Sequence, residues 1–215
     1  MRRTAALLLP LLLVAGCLNY EQQTVLEEDG SGSMSIHYWI SEQMFMWMKD
    51  GTLSFNEDSV RQQYSADGIT IHKAHTESIA ADSSRHVWVK LDFDDITRLT
   101  ECRGFEKLNF TWQREGDVFR FEQGIPQASE SDEAFLDDYS FTYVYEFPGP
   151  VRESNADSVY GNTAVWVFPL SQLNKDVQMT ALVEASSGSS MLWVGGVMAV
   201  VVILILITYL VRRRK

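Results

Sequence analysis

Residues 191–211, MLWVGGVMAVVVILILITYLV, contain no charged side chain, and Arg212, Arg213, Arg214 and Lys215 follow at once. As a helix, such a run is long enough to cross the roughly 30 Å hydrocarbon core of a bilayer. Trp193 and Tyr209 stand near its two ends, where interfacial aromatics gather. Basic flanks stay on the cytoplasmic side, which assigns 212–215 to a cytoplasmic tail and the preceding chain to the outside. A sorting tail removed after export has the same composition and remains an alternative. Gly195 and Ala199 have the small-xxx-small spacing that can seat a partner helix.

The other end carries a second targeting signal. Arg2 and Arg3 precede an apolar stretch through Ala15, then small residues, then Cys17. That order marks an export signal too short to be a membrane span. Val14-Ala15-Gly16-Cys17 resembles the lipobox of bacterial lipoproteins. The resemblance implies loss of residues 1–16 and a lipid, diacylglycerol with a further acyl chain such as palmitate, on Cys17. The expected organisation is a signal peptide over 1–16, an exported domain over 17–185, a flexible linker over 186–190, a membrane helix over 191–211 and a basic tail over 212–215. Only Leu18, Asn19 and Tyr20 separate the lipid from the first strand, and the linker is short. The start of the first strand and the end of the last are therefore expected on one side of the domain.

Charge limits the partners. Of 18 Lys and Arg, Arg2 and Arg3 lie in the leader and four in the tail, leaving 12 against 29 acidic residues, a balance of −17. Nucleic-acid binding needs a basic footprint and is excluded. Broad adsorption to anionic headgroups is disfavoured for the same reason. There are two cysteines, Cys17 and Cys102; with Cys17 lipidated no disulfide framework is left, and Cys102 is expected to be a small buried hydrophobe.

Between the ends, hydrophobic alternation dominates. Residues 21–26 and 34–40 are predicted strands around the turn EEDGSG. SEQMFMWMKDG (41–51) is a predicted helix with Ser41 as N-cap. Ser54 and Glu57 have capping-box spacing for a second helix carrying Val60 and Tyr64. Strands are predicted over 69–76 and 85–93, with Val87, Val89, Leu91 and Phe93 on one face, then a short helix capped by Asp94. A hairpin is predicted over 108–122, a polar acidic loop over 124–138, and strands over 139–147, 163–168 and 176–184. About nine strands and three short helices give an α+β fold with a largely antiparallel sheet and a C-terminal transmembrane helix.

Chemistry-bearing motifs are few. His72 and His75, three apart on a strand, should face opposite sides, which speaks against a metal pair. His37 and His86 stand alone in sequence. Acidic pairs are frequent, as in any chain this acidic, and no nucleotide, phosphate or nucleophile motif occurs. No cofactor and no catalytic residue is expected. One stretch is unusual: Met44, Phe45, Met46, Trp47 and Met48 make a helix apolar all round, more than a core-facing stripe needs. Met44, Phe45, Trp47 and Met48 are the candidate contact for lipid or a protein partner, with core packing as the alternative. The aromatic face Phe141, Tyr143, Tyr145 and Phe147 is expected in the core.

The lipobox cysteine, the strand after it, the turn Asp29-Gly30-Ser31-Gly32, the later Asn155, Gly161-Asn162-Thr163 and Trp166 to Pro169, and the apolar run with its basic end are together similar to the LppM-like lipoprotein domain family. The resemblance implies an extracytoplasmic α+β domain at the cell envelope and supplies no enzymatic residues. The expectation is a membrane-anchored envelope lipoprotein whose domain binds envelope lipid or an integral-membrane protein. A structural subunit of a membrane complex, or an envelope hydrolase, are the alternatives.

Overall fold

Alternation along the strands decides the architecture. In a computed structural model, residues 19–47, 54–127, 140–169, 171–172 and 175–185 are described. β1 (Asn19–Leu26) and β2 (Gly32–Ser41) form the expected hairpin, pairing Asn19 with Trp39 and Leu26 with Gly32. Every second residue is buried: Tyr20, Gln22, Thr24 and Leu26 on β1, and Met34, Ile36, Tyr38 and Ile40 on β2. β3 (Ile69–Ile79) and β4 (Ser84–Phe93) extend this sheet, and β4 buries the four predicted residues Val87, Val89, Leu91 and Phe93.

β5 (Asn109–Glu115) and β6 (Val118–Ile125) are the second hairpin. They are followed by β7 (Ser140–Glu146), β8 (Val151–Ser154), β9 (Ser158–Tyr160), β10 (Thr163–Pro169) and β11 (Val177–Glu184). The larger sheet has the order β3-β4-β2-β1-β7-β10-β9 and the smaller β5-β6-β11-β8. One pair, β1 with β7, is parallel, from Tyr20 opposite Phe141 to Val25 opposite Glu146.

Three short helical elements complete the described part: α1 (Glu42–Trp47), α2 (Glu57–Gln63) and a 3-10 helix (Ile96–Glu101). Over the described residues the fold is therefore mostly β, with two sheets, and not the expected α+β. The reason is physical: each helical piece is one or two turns long and none forms a layer of its own. Among the described residues no helix is long and apolar enough to cross a membrane. The run 191–211, with Gly195 and Ala199, lies outside the described residues, as do Cys17, residues 48–53 and most of the acidic loop.

Capping also differs from expectation. Asn56, not Ser54, caps α2, its side-chain oxygen accepting the Asp58 and Ser59 amides at 3.1 and 3.2 Å. Asp95, not Asp94, caps the 3-10 helix through the Thr97 amide. Ser41 does cap α1, its Oγ accepting the Met44 N–H at 3.1 Å.

The core lies between the sheets and under the short helices. Phe121 of β6 packs on Tyr145, Phe147 and Trp166 at centroid distances of 4.5, 5.2 and 6.2 Å. The aromatic face of 141–147 is largely core, as expected: Tyr143, Tyr145 and Phe147 are buried, and Phe141 packs half-buried against the core cluster. Val60, Tyr64, Ile96, Leu99 and Cys102 join the same core cluster. Burial raises the Cys102 thiol above its ordinary pKa, as befits a small hydrophobe. A polar chain crosses the core. Tyr20 donates to Gln22 Oε1 (2.9 Å), Gln22 Nε2 donates to Tyr145 Oη (3.1 Å), and Tyr145 donates to Gln123 Oε1 (2.6 Å). It links β1 and β7 of one sheet to β6 of the other, so a one-residue slip in any of these strands would unpair it.

The ends of the domain are not neighbours. Glu184 donates its amide to Pro150 O at 2.8 Å, and Ala185 donates to Asp117 O at 2.9 Å. Pro150 follows the C-terminal end of β7, whereas Asn19 lies beside Ser140 at its start. Seven strand residues, roughly 20 Å at 3.3 Å each, separate the two levels. The expectation that chain entry and exit share one side is corrected by the parallel pairing of β1 with β7, which runs both strands away from the Asn19 end.

Candidate functional site

The Asn19 end of the larger sheet carries the features that packing alone does not use. β2 ends there at Ser41, and α1 follows directly. Of the helix residues, Met46 is 75% exposed, the most exposed large apolar residue described. Met44 and Phe45 are half-buried. Phe45 meets Phe55 edge-on at 5.4 Å and carries the Arg85 guanidinium 3.8 Å over its ring. Trp47 closes α1, and Met48 lies outside the described residues.

Arg85 is what holds α1 down. Its Nε donates to both Glu42 carboxylate oxygens, at 2.9 and 3.0 Å. That contact, and a hydrogen bond from Ser78, keep the Glu42 carboxyl below its ordinary pKa. The Glu42 amide donates to Ser83 O at 2.8 Å. The β3–β4 turn thus grips the first residue of α1 from two sides.

On the face of the sheet away from the core, register assembles a cluster that sequence spacing conceals. His37 on β2 stands opposite Glu21 on β1 and Trp88 on β4; Trp39 stands opposite His86; His75 on β3 stands opposite Trp88. The rings stack. His37 lies 4.5 Å from Trp39 and 5.0 Å from Trp88, with interplanar angles of 24° and 6°. His37 Nε2 is 3.0 Å from His86 Nδ1, His86 Nε2 is 3.1 Å from Asp82 Oδ2, and His37 Nδ1 is 3.8 Å from Glu21 Oε2. His37 and His86 therefore do not stand alone, contrary to their reading from sequence. They form the centre of a carboxylate–imidazole–imidazole–carboxylate chain. His86 is 6% exposed. Its pKa is lowered by burial above all, and further by His37, while Asp82 opposes the shift. The signal available in sequence was the alternation itself: in a hairpin sheet, His37, Trp39, His86 and Trp88 all fall on the face opposite the core residues.

His72 and His75 take different partners. A register shift between Ile71 and Lys73 frees His72 to meet Asp92 Oδ2 at 2.6 Å. His75 Nδ1 meets Glu57 Oε1 at 2.9 Å and stacks on Trp88 at 5.7 Å. Glu57 also accepts the Thr76 amide, covering an open donor on the edge strand β3. Among the described residues no three His, Cys, Asp or Glu are placed to hold a metal ion.

No protein-family model matches the chain. No curated protein matches it either. In structure it is similar to the folded domain of LppM from Mycobacterium tuberculosis, solved by NMR, with a TM-score of 0.48 and 15% identity over 80% of this chain and 93% of that one.

Proposed function

We propose that the domain is a non-enzymatic binding module on the extracytoplasmic side of the cell membrane, with α1 as the element that meets lipid. The observation that carries the reading is the place of α1. It sits at the end of the sheet where β1 begins, and Asn19 is two residues from Cys17. A lipid on Cys17, at ~3.3–3.6 Å per extended residue, would hold that end within about 10 Å of the bilayer. Met46 projects 75% exposed from that end, beside half-buried Met44 and Phe45. Methionine side chains fill irregular apolar surroundings at little cost. The acidic balance of the domain favours shallow apolar insertion over adsorption to anionic headgroups.

The test uses a single label. Cys102 is buried and Cys17 is the lipid-bearing residue of this reading, so Met46→Cys offers the only reactive thiol among the described residues. A fluorophore there, on the full chain in phosphatidylcholine vesicles, is expected to be quenched by brominated acyl chains. Quenching no greater than for a label on the Gly116 turn overturns the lipid reading. Loss of quenching on adding a crosslinkable membrane protein would instead assign α1 to a protein partner.

A further inference from the structure

Resting on the membrane reading of α1, we propose that the Glu21–His37–His86–Asp82 chain is a proton-operated latch that holds α1 against the sheet near neutral pH and releases it on acidification.

Proton counting defines the latch. With both imidazoles neutral, His86 Nε2–H donates to Asp82, which leaves His86 Nδ1 as an acceptor, and His37 Nε2–H donates into it across 3.0 Å. One nitrogen then remains free, His37 Nδ1, and it faces Glu21 at 3.8 Å. A first proton goes there. The imidazolium so formed lies between the ring faces of Trp39 and Trp88, a favourable cation–π position. The bond between the imidazoles survives and becomes charge-assisted. A second proton has only His86 Nδ1 to occupy. It removes the one acceptor in the N···N bond and leaves two cations facing each other, so the rings must part.

The surrounding charges do not remove this conflict. Glu77 on β3 stands directly opposite His86 and weakly favours its charged form; His75 stands opposite Trp88, engaged by Glu57 and by Glu77 at 3.8 Å. Lys73 stands 5.8 Å over Trp88, and Lys90 lies one row along β4. Asp82 favours the charged form of His86, while burial and His37 oppose it.

What the latch moves is given by covalent neighbours. Asp82 and Ser83 form the turn between β3 and β4, and Asp82 Oδ1 accepts the Ser84 amide. Ser83 holds a φ of 55°, an unfavourable value for a residue with a side chain, and its carbonyl accepts the Glu42 amide. Arg85, immediately before His86, holds Glu42 and Phe45. Parting of His86 from His37 therefore displaces the turn that grips α1 on one side and the guanidinium that grips it on the other. Strained turns beside switch elements are a recurrent arrangement.

Two readouts separate the latch from the membrane reading. The chain has four histidines, so 13Cε1-histidine labelling of the full chain in detergent micelles gives four ring signals. His37 and His86 are expected to share two titration steps. His37→Gln should leave His86 a single step, displaced to higher pH. A spin label at Met46→Cys in the same micelles should gain mobility across the more acidic step in the parent chain and not in His37→Gln. Independent single-step curves for His37 and His86, or mobility that ignores pH, overturn the latch. Signals that move with chelator rather than with pH assign the pair to an adventitious metal and overturn it too. If His37→Gln does not fold, the parent curves alone decide. Lipid quenching is not used here, so failure of α1 to meet lipid leaves the latch standing, and the reverse.

Discussion

Gly149 lies against Glu184: a Cβ added to Gly149 would come 2.0 Å from the Glu184 carbonyl oxygen and 3.1 Å from its carbonyl carbon. The contact joins the segment after β7 to the end of β11, and so ties the two sheets together at the pole away from Asn19. Both obstructing atoms are backbone, which cannot rotate out of the way. Gly149→Ala should destabilise the domain by about 1–3 kcal/mol, the range for overpacking a fitted site. A urea midpoint unchanged from the parent chain would show that the strand ends can part without cost.

Tyr145 holds the centre of the polar chain through the core. Its hydroxyl accepts from Gln22 and donates to Gln123, and all three residues are buried. Gln123 Nε2 is already without a partner among the described residues. Tyr145→Phe keeps the ring packing and deletes only the oxygen, leaving Gln123 Oε1 without its donor and Gln22 Nε2 with Thr24 Oγ1 alone as acceptor, at 3.0 Å. The expected loss is about 1–3 kcal/mol, read from denaturant unfolding. Gln123→Leu, which removes the unpaired nitrogen as well, should cost less in the Tyr145→Phe background than in the parent.

Much of the β framework is written in local alternation. The hairpin β1–β2, the core face of β4 and the aromatic face of β7 are period-two patterns, and each strand lies where its pattern puts it. What alternation cannot supply is partner choice. Nothing in the sequence of β1 says that it lies parallel to a strand about 120 residues away, and that single pairing decides which pole Ala185 leaves from. The His–Trp cluster was hidden for the same reason: Trp39 and His86 become neighbours only through the β2–β4 register. The short strands β8 and β9 have no pattern of their own, since four and three residues hold barely one period. The methionine-rich segment stood out because an apolar helix with no polar face conflicts with a surface position.

Glu146 and His86 bend the stability curve in opposite directions. Burial raises the Glu146 carboxyl above its ordinary pKa, against a hydrogen bond from Asn162 that lowers it. As pH rises through that interval the unfolded chain gives up its proton first, so ionisation penalises the fold, and the penalty is complete above the raised value. Glu146→Gln should therefore stabilise the domain at pH 7 and lose that advantage below about pH 4. The His86 pKa is lowered. Its contribution is full above the unfolded value near 6.5 and is lost as pH falls through the folded one. His86→Gln should flatten the acid limb alone. Thermal midpoints from pH 3 to 8 separate the two, and an unchanged profile in either variant would refute that assignment.

Ser83 tests how much strain the β3–β4 turn stores. Its φ of 55° is the one positive value among described residues that are not glycine. For a residue with a side chain, the left-handed region costs roughly 1–2 kcal/mol. Ser83→Gly removes that cost but adds roughly 0.5–1 kcal/mol of chain entropy to the unfolded state, so the net gain should be small, up to about 1.5 kcal/mol. Ser83→Val, with a branched β-carbon in the same backbone conformation, should lose at least as much. Neither change touches the carbonyl that accepts the Glu42 amide, so α1 keeps its hydrogen bond in both. Urea midpoints should therefore order Gly above Ser above Val. A glycine variant weaker than the parent would mean that the turn is held by its Ser83 side chain, and that the strain lies elsewhere.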